Sequence, residues 1–216
     1  MPKPIFSAAL IFCSAVAGFT FTEKLGFSAE PSGQYLREWL LCGAFPVLTE
    51  AERDIEAIRL PGMYADFLKD SGGEANASPV AGQVVAFPGG SCTWERHVAP
   101  DNAVDLDAAI AKEDRVVAYA FSQFDSPKQQ ACILALGSSD GIRAWLNGEL
   151  VLDGPGSRGL QMDHNLVPVA LRKGANSLLL KIEERGNRWG FACRFLPFSE
   201  PLLAERLCLF DVVSRD

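Results

Sequence analysis

Gly137-Ser138-Ser139-Asp140-Gly141 has the Gly-x-Ser-x-Gly spacing of a hydrolase nucleophile elbow, in which a strand-to-helix turn lifts the serine above a parallel sheet. The next residues are Ile142-Arg143-Ala144-Trp145-Leu146, an alternating run closed by Asn147-Gly148, the dipeptide that accepts the positive φ angles of a type I′ hairpin turn. The helix needed to activate Ser139 is missing from this pattern. The stretch therefore reads as a β-turn in which serine and aspartate bond nearby backbone.

Other chemistry is sparse. His97 and His164 are the only histidines, and they lie too far apart in sequence to suggest a metal-ligand pair. Among the 27 carboxylates, Asp105 with Asp107 and Glu183 with Glu184 are pairs to weigh for acid/base work. Neighbours on a strand point to opposite faces, so Glu183 and Glu184 make poor acid/base partners and both pairs read as solvated charge. No Asp-x-Asp-x-Asp loop is present, and neither a metal nor a cofactor is expected.

Sugar recognition needs an aromatic plane and a few aimed polar groups. Trp39, Trp94, Trp145 and Trp189 are the available planes. Trp145 alternates against Ile142, Ala144 and Leu146, which leaves it either exposed or packed under a loop as a second small core. The long loop from Gly154 to Asn165 carries Arg158, Asp163 and His164, which could reach a ligand or, for Arg158 and Asp163, staple the loop to itself. Trp145, Arg158, Asp163, His164 and Trp189 are the candidate ligand-binding residues, and no catalytic residue is assigned. Lys181 and Arg194 read as solvated or capping charges.

The elements that must position these groups have a period of two. Strands are expected near 116–124, 130–137, 141–147, 149–153, 166–172, 176–183 and 189–196, with an opening strand in Tyr35–Phe45 and a β return around Pro88-Gly89-Gly90. Thr49–Arg59 has helical composition with an approximate capping box, broken by Pro61-Gly62, and further turns run to Gly72-Gly73. An all-β antiparallel sandwich of jelly-roll type with a small helical insertion near the N-terminus is the expected fold.

At 216 residues and 48% hydrophobic composition, the chain suits one domain with a sizeable core. Its net charge of −7 and the lack of a Lys/Arg cluster exclude a nucleic-acid groove. The uncharged run from Ile5 to Phe21 behind Lys3 predicts a signal peptide over 1–29, cut near Ala17 or Ala29, with an uncleaved membrane anchor as the alternative. Residues 30–34 are a linker, 35–200 the sandwich and 201–216 a tail or final strand. Such a leader implies a secreted or periplasmic protein. The six cysteines form no Cys-x-x-Cys pair, so most are expected to be small buried hydrophobes, with room for one disulfide of unspecified partners.

The segments YLREWLLCGAFP, TWERHVAPDNAVDL, LGSSDGIRAWLNGELV and LRKGANSLLLKIEERGNRWGFACRF resemble galactose-binding-like jelly-roll modules attached to exported bacterial hydrolases. They are also similar to the sugar-binding domain of family 2 glycoside hydrolases, over roughly Tyr35 to Phe195. The resemblance implies a non-catalytic accessory module that binds a polysaccharide or other glycan. A structural or protein-interaction domain, docking on a protein partner or on a catalytic domain of another chain, is the alternative, and hydrolysis ranks last.

Overall fold

Alternation of apolar and polar residues favours extended chain wherever one face can be buried, and glycine pairs and Asn-Gly dipeptides set where that chain reverses. The computed structural model describes residues 27–28, 31–46, 61–186 and 188–199. The chain runs through β1 (Phe27–Ser28), β2 (Glu38–Pro46), α1 (Pro61–Tyr64), single 3-10 turns at Lys69–Ser71 and Glu74–Asn76, β3 (Val84–Phe87), β4 (Gly90–Thr93), β5 (Glu95–Val98) and β6 (Val104–Asp105). It continues through α2 (Leu106–Ala109), β7 (Val116–Ser126), β8 (Gln130–Ser138), β9 (Ile142–Leu146), β10 (Glu149–Gly154), β11 (Asn165–Leu171), β12 (Gly174–Glu184) and β13 (Gly190–Pro197).

Two sheets stack face to face. The larger has the order β10-β9-β12-β7-β2-β5, with β1 added parallel to β7; the smaller has the order β11-β8-β13-β6. All pairings within those two orders are antiparallel. Between the sheets lies a core that includes Trp39, Phe124, Leu134, Leu180, Phe191 and Phe195. Fully burying an aliphatic or aromatic side chain of this size is worth about 1.5–3 kcal/mol, and this layer holds the sandwich together.

The fold is the expected antiparallel β-sandwich, and the strands of its closing half fall within a few residues of their expected positions. The Asn147-Gly148 turn has φ of 53° and 85°, as a type I′ hairpin demands. In the opening strand, pairing begins at Glu38, and Tyr35 makes only an isolated bridge to Arg194. The return after Pro88 divides in two: β4 pairs with β3, whereas β5 pairs with β2.

A second apolar layer covers the outer face of the larger sheet. Residues 61–94 fold over it, bringing Met63, Leu68, Val85 and Trp94 against Leu40, Phe121 and Trp145. Both faces of β7, β9 and β12 are consequently buried, which selects the packed alternative for Trp145, under this cover and not under the Arg158 loop, and overturns the expectation for Lys181. Trp145 is 5% exposed beneath this cover and offers no free ring face. Lys181, expected to be solvated, is completely buried.

The cover is keyed to the sheet by a lateral polar row. Asp153, Arg143, Lys181, Tyr119 and Cys42 stand side by side across β10, β9, β12, β7 and β2. Glu74, from the cover, settles on this row: its Oε1 accepts hydrogen bonds from Tyr119 Oη (2.7 Å) and Lys181 Nζ (3.0 Å), and its Oε2 lies 3.6 Å from Arg143. Lys181 Nζ also donates to the Ala65 carbonyl, and Arg143 lies over the Tyr64 and Trp145 rings. Buried charge is tolerated only when paired and hydrogen-bonded, and here each charged member finds a partner.

The Thr49–Arg59 helix, the 201–216 tail and all of the leader except Phe27–Ser28 lie outside the described residues. Phe27 and Ser28 pair with Phe124 and Asp125. No helix among the described residues is long and apolar enough to cross a membrane.

Candidate functional site

At one end of the sandwich the connections between strands enclose a cleft of about 1010 Å³. Four pieces of chain build it: Asp101–Asp107 with Lys112, the β8–β9 turn at Asp140, the Ser157–Leu160 loop, and Gly186, Arg188 and Trp189 between β12 and β13 together with Gly190 at the start of β13. None of these is held by a long helix or strand, so their positions depend on specific side-chain bonds.

Asp140 supplies most of them. It has φ of 56°, a left-handed conformation that aspartate tolerates better than most residues, and this turns its carboxylate toward the neighbouring loops. Oδ1 accepts from the Arg158 backbone N–H at 3.1 Å, and Oδ2 accepts from the Arg185 N–H at 2.9 Å. The Asp140 N–H in turn donates to the Arg158 carbonyl at 2.8 Å. One carboxylate thus joins three separate connections.

The serines beside it do similar work. Ser138 Oγ donates to the Asp140 carbonyl (2.9 Å) and accepts from Arg158 Nη2 (3.0 Å). Ser139 Oγ accepts from the Gly190 N–H at 2.8 Å and lies 3.2 Å from the Gly190 carbonyl. The elbow-like motif is a loop-joining device that leads directly into strand β9, as its alternating sequence predicts. Gly137 belongs to the same device, because a Cβ there would collide with the Gln161 carbonyl of the crossing loop.

The cleft's charges differ in how far they are committed. Asp105 Oδ1 accepts the Ala108 N–H that begins α2, and Asp107 Oδ2 accepts the Trp189 N–H. Arg158 donates to Ser138 and to Asn165 Oδ1, and its burial pulls its pKa down against the pull of Asp140. Lys112 and Arg188 line the cleft with no ion pair to a described residue. The wall thus mixes hydrogen-bond donors and acceptors. Trp189 contributes only a covered surface, since it is 1% exposed and its Nε1 has no partner among the described residues.

Behind the cleft, Glu183 and Glu184 are both buried, contrary to their reading as solvated charge. Burial pushes both carboxyl groups up. Arg185 opposes this at Glu183, where its Nε donates to Oε2 at 3.0 Å. At Glu184 the pKa reaches about 7, with burial the largest cause, the Gly186 N–H opposing it, and Asp140 and Asp107 adding to the rise.

Of the five candidate ligand-binding residues, Arg158 and Trp189 meet at this cleft and the others do not. Trp145 lies under the 61–94 cover. Asp163 pairs with Arg194 and accepts from Tyr35 Oη at 3.4 Å, so the expected Arg158–Asp163 staple is replaced by one between the loop and β13. His164 Nδ1 lies 3.2 Å from Gln161 Oε1, within its own loop. Asp140 falls in the turn already read from the Gly137–Gly141 stretch, whereas Asp101, Lys112 and Arg188 carry no local signal in the sequence. Among the described residues, no group of three or more His, Cys, Asp or Glu side chains could hold a metal ion.

Comparison with protein families gives no match, and neither does comparison with curated proteins. Solved structures similar to this chain include a β-glucosidase from Kluyveromyces marxianus in complex with glucose, at 12% identity and a TM-score of 0.39, covering 49% of this chain and 15% of that one. A GH31 α-xylosidase from Xanthomonas citri is similar at 11% identity and a TM-score of 0.39, covering 77% of this chain and 16% of that one. An anti-sigma factor domain-containing protein is similar at 14% identity and a TM-score of 0.37, covering 50% and 38%. The chain thus spans well under half the length of each of these structures.

Proposed function

We propose that this chain is a non-catalytic carbohydrate-binding accessory module, exported from the cell, and that its ligand occupies the end cleft. The observation that carries the reading is the cleft itself, where Asp101, Asp105, Asp107, Lys112, Arg158 and Arg188 line one concavity of about 1010 Å³. A sugar hydroxyl both donates and accepts, so a polyhydroxylated ligand can satisfy a wall of alternating carboxylates and cations better than an apolar one can. Ser139 is committed to Gly190, and neither histidine is among the residues lining the cleft, which supports binding over a serine–histidine hydrolase reading.

Affinity electrophoresis through gels containing neutral or acidic polysaccharides tests the proposal. The protein should be retarded by at least one of them, and Lys112→Ala with Arg188→Ala should abolish the retardation without lowering the melting temperature. A structural or protein-interaction module is the second reading, and the burial of all four tryptophans favours it, because no indole is left as a stacking platform. Free migration in every gel would select that second reading.

A further inference from the structure

Cys42 and Cys92 are 50 positions apart (92 − 42) in sequence, yet both belong to the buried layer between the larger sheet and its cover. Cys92 Sγ reaches back to β2, 3.4 Å from the carbonyl of Ala44, two residues beyond Cys42, and each thiol is the largest influence on the other's ionisation. The other described cysteines do not meet in this way. Cys132 and Cys193 sit on neighbouring strands, but Cys193 stands opposite Leu136 and Cys132 opposite Pro197.

The two thiols of the first pair are unequal in access. Cys42 is enclosed, whereas Cys92 lines a separate open cleft of about 210 Å³ together with Leu41, Gly43, Ser91, Thr93 and Glu95. Cys42 is the largest influence drawing the Cys92 pKa down, against burial and the Glu113 carboxylate, while Cys92, burial and Glu95 push Cys42 up. A thiolate is the attacking species in thiol–disulfide exchange.

We propose that Cys42 and Cys92 form an oxidisable dithiol, in which Cys92 reacts first with a small-molecule disulfide and Cys42 resolves the product into an internal disulfide. With glutathione disulfide as oxidant, the Cys92 thiolate attacks one sulfur, forming a mixed disulfide and expelling one glutathione thiolate. The Cys42 thiol passes its proton to that leaving group and attacks Cys92 Sγ, expelling the second glutathione. Two electrons pass from the protein to glutathione, and β2 becomes covalently tied to the β3–β4 hairpin of the cover. Closing a loop of this length removes freedom from the unfolded chain, so the melting temperature should rise by about 5 °C or more.

The test incubates the folded full-length protein with glutathione disulfide, quenches with iodoacetamide under denaturant, and maps the peptides without reductant. A linked Cys42–Cys92 peptide is expected, together with a rise in melting temperature that dithiothreitol reverses. Cys42→Ser should stop at a glutathionyl adduct on Cys92, and if that variant does not fold, the wild-type map decides alone. Alkylation of both Cys42 and Cys92 after oxidant treatment, or linkage of either to another cysteine, overturns the proposal.

Discussion

Lys181 Nζ donates to Glu74 Oε1 across 3.0 Å, joining the centre of the larger sheet to a cover segment 107 residues earlier in the chain. Tyr119 donates to the same oxygen, so this carboxylate is the point at which the cover recognises the sheet. Breaking such a buried pair by removing one partner leaves an uncompensated charge and typically costs about 3–5 kcal/mol. Glu74→Gln and Lys181→Met should each lose that much stability in urea denaturation, while the double variant should recover part of it. Additive losses in the double variant would show that the two residues act separately.

Burial lowers the Lys181 pKa from 10.5 to about 8, outweighing the attraction of Glu74. Between those values the unfolded chain binds more protons than the folded one, so this group makes stability rise with pH across that window. Tyr119 acts in the opposite sense above its ordinary value of 10.0, because burial and Glu74 keep its phenol protonated in the fold. Urea midpoints measured from pH 7 to 11 should therefore climb and then fall, and Tyr119→Phe should remove the fall.

Trp145 packs against Leu179 and beneath Arg143, inside the covered layer. Replacing a buried tryptophan by alanine costs about 3–5 kcal/mol. Trp145→Ala should lower the melting temperature sharply, while Trp145→Phe should lower it less. A Trp145→Ala protein with wild-type melting temperature and lost polysaccharide retention would place this ring in contact with ligand instead.

Asp140 holds three loops through its bonds to Arg158 and Arg185. Asp140→Ala leaves those N–H groups without their acceptor, at a cost of about 1–3 kcal/mol. The melting temperature should fall, and limited proteolysis should cut first within the Ser157–Leu160 loop.

Glu184 adds a second pH dependence. Its folded pKa of about 7 exceeds the ordinary 4.5, so the folded state holds the proton more tightly. Its contribution is fully present below pH 4.5 and is lost as pH rises through 7. Glu184→Gln should flatten stability over that interval and stabilise the protein at pH 8 by about 1 kcal/mol after allowance for solvent screening. Unchanged pH profiles in the variant would assign the effect to other groups.

The closing half of the fold was legible because its signals are local. Gln130–Ser138 and Gly174–Glu184 announce themselves by apolar content and by the glycines and turn residues that bound them. Asn147-Gly148 specifies a hairpin through the φ angles those two residues accept. The end cleft was legible only in part: Arg158 and Trp189 stood out by type, whereas Asp101, Lys112 and Arg188 look like ordinary surface charge until the loops converge on one concavity.

Period-two alternation and turn chemistry thus sufficed to indicate an antiparallel sandwich, because both act over a handful of neighbouring residues. Which side of each strand meets water was settled by chain folding back from far away. Arg143, Trp145 and Lys181 alternate with core residues, as half-exposed strands do, but residues 61–94 cover them and Glu74 neutralises the buried charge. Burial on that second face is a long-range event, and no local pattern within β9 or β12 records it.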